Sequence, residues 1–123
     1  MIKEAYCSFE VSKLLKEKGF NERSSASYDS KGQLQEGYGY WNKTPIWYAA
    51  PTHQMAMKWL RGKGIECVVI PIWNTIGKQY RSYVLSDLGD KYKDNYDSYS
   101  DNISYEGAVE AALKYCLENL ILL

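Results

Sequence analysis

The stretch SFEVSKLLKEKGF, residues 8–20, decides the fold. It reads as a short amphipathic helix over residues 8–18, with Ser8 as N-cap, Val11, Leu14 and Leu15 as an apolar stripe, and Gly19 as a left-handed stop. The same pattern returns over residues 52–63, where Thr52 can cap, Met55, Ala56, Trp59 and Leu60 face inward, and Gly64 ends the helix. Laid over each other, Lys13-Leu14-Leu15-Lys16 falls on Lys58-Trp59-Leu60-Arg61, and Lys18-Gly19-Phe20 falls on Lys63-Gly64-Ile65. Continued without a gap, Tyr28-Asp29-Ser30-Lys31-Gly32 falls on Trp73-Asn74-Thr75-Ile76-Gly77, and both end in hairpin-turn chemistry. The expected fold is therefore α+β. Two helix–β-hairpin units (α-β-β, α-β-β) form one antiparallel sheet, and a C-terminal helix closes it.

The second unit has the clearer strands. Residues 65–73 contain Val68-Val69-Ile70-Pro71-Ile72, apolar on both faces, and Pro71 implies that this end lies at an edge or bulge. Residues 79–85 return across the turn. Residues 24–28 and 33–40 are the matching strands of the first unit, polar and Gly-rich, so their register is weakly specified. In the third helix, Ala108/Val109, Ala112/Leu113, Cys116/Leu117 and Leu120/Ile121 make one wide apolar face, with Ser104 as cap. Glu110 and Lys114 are expected to pair on its other face. Residues 86–105, rich in Asp, Asn, Ser, Lys and Tyr, read as a long loop.

A length of 123 residues suits a single domain, 1–123, able to bury a core without staples. Lys+Arg and Asp+Glu balance at 15 each, which removes any net pull toward nucleic acid or an anionic membrane, so nucleic acid is not an expected partner. The apolar runs are far short of a membrane span. Three scattered cysteines without C-x-x-C spacing, and no apolar segment at the N-terminus, lead to a cytoplasmic expectation.

No local motif supplies chemistry. His53, the sole histidine, starts the second helix and is expected to be a half-exposed residue there, since no neighbouring nucleophile or carboxylate accompanies it. A pairing with a cysteine or an aspartate from elsewhere stays open. One histidine and three dispersed cysteines offer no metal-ligand spacing, and the loop carboxylates Asp87, Asp90, Asp94, Asp97 and Asp101 do not continue as a calcium loop. Gly37-Tyr38-Gly39-Tyr40 lacks a phosphate-binding frame. Neither a catalytic residue nor a cofactor or metal is expected.

The aromatic content points to binding. Twelve Tyr and four Trp against two Phe mean that most rings carry a polar handle, which suits surfaces that are apolar at one end and wet at the other. Tyr40, Trp41, Trp47 and Tyr48, running into His53, form one candidate surface, with Tyr38 at its start. Tyr92, Tyr96 and Tyr99 form a second, of paratope-like composition.

Three stretches, residues 8–20, 50–61 and 105–115, resemble small proteins of phages and prophages of Bacteroidales bacteria, most recognisably in Pro51-Thr52-His53-Gln54-Met55-Ala56-Met57-Lys58-Trp59-Leu60. The resemblance implies a phage-type origin and the host cytoplasm, and transfers no catalytic residue. The functional expectation is a non-enzymatic accessory protein that binds a host or phage protein, or a second copy of itself. A protein that sequesters a small molecule such as a nucleotide, or a small enzyme using His53, are the alternatives.

Overall fold

The computed structural model of the chain describes residues 3–86, 96–98 and 104–121. Helix α1 (Phe9–Glu17) starts where the Ser8 hydroxyl accepts the Val11 N–H at 3.2 Å. It is followed by β1 (Ser24–Tyr28) and β2 (Leu34–Gly39), then by a 3-10 turn over Trp41–Lys43 and a two-residue strand β3 (Tyr48–Ala49). Helix α2 (His53–Arg61) starts where the Thr52 hydroxyl accepts the Met55 N–H at 3.2 Å. Gly64 then takes φ 83, a conformation that releases the chain from the helix into strand β4 (Ile65–Asn74). The order closes with β5 (Gly77–Ser86), β6 (Tyr96–Ser98) and α3 (Tyr105–Asn119), capped by Ser104.

The class is α+β, and each of the first two helices is followed by an antiparallel hairpin. The expected single sheet is corrected: the described residues form two three-stranded sheets, ordered β2-β1-β3 and β4-β5-β6. The reason lies in two short strands that the sequence hides. Tyr48 and Ala49 pair with Tyr28 and Ser27, taking the free side of β1, and residues 96–98 take the free side of β5. Each hairpin thus gains its own third strand. The region 86–105 is accordingly not loop throughout.

Pro71 sits as its chemistry demands. The hairpin closes on the Asn74·Gly77 pair, and alternation back from it puts Pro71, opposite Tyr80, at a non-hydrogen-bonded position. Its missing N–H therefore faces outward from β4, which is an edge strand, and no ladder bond is lost.

Helix α3 carries the core. Ala108, Val109, Ala112, Leu113, Cys116 and Leu117 are fully buried, and α3 packs against β4 and β5 as well as against α1 and α2. Val11 and Leu15 of α1, Ala56 and Leu60 of α2, and Phe20, Ile65 and Val84 complete the cluster. Full burial of each large aliphatic side chain contributes about 1.5–3 kcal/mol. Glu110 and Lys114 do not pair with each other. Lys114 Nζ reaches Glu10 of α1 at 3.2 Å, and Glu110 turns inward.

Candidate functional site

The segment before α1 and the segment before α2 run side by side. Cys7 N–H donates to the Pro51 carbonyl at 2.8 Å, His53 N–H donates to the Ala5 carbonyl at 2.9 Å, and Tyr6 and Thr52 form an antiparallel bridge between them. This short pairing sets Cys7 and His53 next to each other, although a helix and a complete hairpin separate them along the chain. Glu110, on the second turn of α3, completes the group. Its Oε2 accepts from His53 Nε2 at 2.6 Å and from the Ser8 N–H at 3.0 Å. The Cys7 sulfur, the His53 ring nitrogen and the Glu110 oxygen all lie within 4.8 Å of one another. The Tyr28 hydroxyl, donating to the Cys7 carbonyl at 2.7 Å, fixes the backbone at this point.

The expectation of a half-exposed His53 is thus corrected: its relative exposure is 6%. Its partner comes from the far end of the sequence, where no local motif could announce it. Burial works against the ionised form of Glu110, but the hydrogen bonds from His53 and Ser8 outweigh it and hold the carboxyl below its ordinary range. Cys7 is fully buried, and burial together with the Glu110 charge pushes its thiol upward. On the outer side of His53 lies a cavity of about 170 Å³, lined also by Lys3, Glu4, Ala5, Gln54, Tyr105 and Glu106.

The aromatic segment separates into two parts. Trp41, Trp47 and Tyr48 are half-buried and serve packing. The Trp41 indole donates to the Gly37 carbonyl at 2.9 Å and its ring lies 5.7 Å from that of Trp47, while Tyr48 meets Phe9 edge-on at 5.5 Å. Lys16 Nζ joins this group by donating to the carbonyls of Thr44 and Trp47 at 2.6 and 2.8 Å. Tyr40 is 52% exposed, and Tyr38 72%. Of the second candidate surface, Tyr96 belongs to β6 through backbone pairing with Val84, and Tyr92 and Tyr99 lie outside the described residues.

Tyr38 and Tyr40 flank a groove along the exposed side of α2. A concavity of about 530 Å³ is lined by Glu22, Arg23, Tyr40, Met55, Lys58 and Trp59. It adjoins a second, of about 390 Å³, which shares Arg23 and Met55 and reaches Tyr38, Pro51 and Thr52. Met55 is 40% exposed on the floor, and the Arg23 guanidinium stacks 4.8 Å above the Tyr38 ring. Of these residues, Tyr38 and Tyr40 stand out in the sequence as contact candidates. Arg23 carries no periodic signal. The inward position expected for Met55 is corrected, because the apolar stripe of α2 is wider than the core it meets.

Among the described residues, no helix is long and apolar enough to cross a membrane. Compared with protein-family models, with curated proteins and with solved structures, the chain matches none.

Proposed function

We propose that this chain is a non-enzymatic accessory protein of phage or prophage type that acts by binding a protein partner through the α2 groove. The observation that carries the reading is the composition and continuity of that groove. Two concavities joined at Arg23 and Met55 present Tyr38, Tyr40, Met55, Trp59 and Arg23 to one occupant. Tyr, Trp and Arg are the residues that dominate binding energy at protein interfaces, and Met adapts its shape to an incoming side chain. The concavity beside Tyr40 accommodates an aromatic or aliphatic anchor of an extended segment, with Arg23 and Lys58 at its rim for polar or acidic neighbours.

The test uses the tag-free chain as bait in host extract, beside a Tyr38→Ala/Tyr40→Ala variant. Both tyrosines are exposed, so the variant keeps its stability to within the ordinary scatter of surface substitutions, roughly ±0.5 kcal/mol. A partner retained by the original protein and lost by the variant supports the reading. A partner retained equally by both counts against the groove.

A second reading, a small enzyme using His53, draws on the grouping of Cys7, His53 and Glu110. A cysteine nucleophile acts as an accessible thiolate, whereas Cys7 is fully buried and its thiol is pushed upward. The binding reading is preferred on that ground.

A further inference from the structure

We propose that Cys7, His53 and Glu110 form a binding site for a divalent transition-metal ion, Zn2+ by the chemistry of its donors. The three side chains supply one sulfur, one imidazole nitrogen and one carboxylate oxygen, all mutually within 4.8 Å. They are the three donor types that zinc accepts, and three protein donors leave a fourth tetrahedral position for water or another ligand. Metal–donor bonds of about 2.0–2.3 Å place tetrahedral donors roughly 3.3–3.8 Å apart. The spacing here, from 2.6 Å between His53 and Glu110 up to 4.8 Å, brackets that requirement, so side-chain rotations close the site without moving the backbone.

The frame is already set for this. Cys7 and His53 are held by the paired segments 5–7 and 51–53, and Glu110 by a helix packed on both sheet and helices. Charge points the same way. A thiolate and a carboxylate together balance a dication, leaving a neutral group in surroundings where Cys7 and His53 are more than nine-tenths buried. Binding is written as Zn2+ plus the Cys7 thiol giving a zinc thiolate and one proton released to solvent, while the Glu110 carboxylate and a neutral His53, its ring proton passing from Nε2 to Nδ1, add as donors without further net proton loss. The cavity of about 170 Å³ beside His53 offers entry and room for the fourth ligand. Hard cations such as Mg2+ and Ca2+ prefer all-oxygen sites and do not suit the sulfur. The other close thiols, Cys67 and Cys116 at 3.7 Å, belong to no such group of three among the described residues.

The experiment strips the full, tag-free chain with a chelator and titrates it with Zn2+ and, for its visible spectrum, Co2+. The expected result is one saturating equivalent, a raised melting temperature in excess metal, and a sulfur-to-cobalt charge-transfer band. That band survives in the Cys67→Ala/Cys116→Ala protein. It disappears in Cys7→Ala, and His53→Ala weakens affinity at least about 100-fold. Should Cys7→Ala fail to fold, the unmodified protein decides the matter, because His53 is the sole histidine and its imidazole NMR signals must shift in step with one equivalent of Zn2+. The proposal is overturned by no saturable binding in the original protein, by histidine signals that stay put, or by a cobalt band unchanged in Cys7→Ala.

Discussion

His53 and Glu110, 57 residues apart in the chain, meet at 2.6 Å between the first turn of α2 and the second turn of α3. The same carboxylate oxygen takes the Ser8 N–H at the start of α1, so three helices are tied at one atom. In chelator-treated protein, Glu110→Ala leaves a buried imidazole and a backbone amide without their acceptor. A loss of about 1–3 kcal/mol is expected from urea unfolding. An unchanged midpoint would mean that the pair stitches nothing.

Asn42 performs a similar duty in the first sheet. Its amide donates to the Phe20 carbonyl at 2.7 Å and its Oδ1 accepts the Ala49 N–H at 2.7 Å, which anchors β3 to the chain leaving α1. Asn42→Ala removes both bonds and is expected to cost about 1–3 kcal/mol. Hydrogen exchange should show the Ala49 amide losing protection ahead of those in α3. Equal protection in both proteins would contradict this role.

The three thiols are predicted to react in a fixed order. Cys67 and Cys116 share a hydrogen bond across 3.7 Å, which lowers the Cys67 thiol and raises that of Cys116, and Cys67 alone of the three is partly exposed. Native protein treated with iodoacetamide should therefore carry its first label on Cys67, with the fully buried Cys7 and Cys116 modified later, as read by peptide mass spectrometry. Early labelling of Cys7 would instead revive the enzyme reading.

Asp29 organises the first hairpin turn, accepting the Gln33 and Lys31 amides on one oxygen at 3.0 and 2.8 Å. The Gln33 bond, helped by that from Lys31, holds its carboxyl below the ordinary range. A depressed folded value means that the contribution is complete above the unfolded value, about 3.9, and is lost as pH falls through the folded one. The original protein and Asp29→Ala should thus differ in melting temperature at neutral pH and converge in acid. A gap that widens in acid would reverse the sign and refute the assignment.

Much of this architecture is legible in the residues. Ser8, Thr52 and Ser104 cap where their side chains can reach an amide, and the apolar face of 108–121 meets the core. These are local signals, carried by neighbours three or four positions apart. Tyr48–Ala49 escapes because two residues hold no period, and its pairing with β1 is a tertiary event. The Cys7–His53–Glu110 group escapes for a related reason. Its members stand just before α1, at the first turn of α2 and on the second turn of α3, and only the bridge between residues 6 and 52 and the packing of α3 make them neighbours. Tyr40 is visible because exposed aromatics leave a compositional trace, whereas the packing role of Trp41, Trp47 and Tyr48 depends on partners that composition does not name.

The bond from Ser8 to Glu110 spans 102 residues of sequence. During synthesis, then, α1 emerges long before the helix that completes its surroundings exists. Its apolar stripe of Val11 and Leu15 must wait, uncovered or chaperoned, while two hairpins and a helix are translated. Contacts between residues so distant also slow folding, since the loop between them must close before it is rewarded. The joint at which the helices are tied thus cannot form until Glu110 has left the ribosome, 102 residues after Ser8.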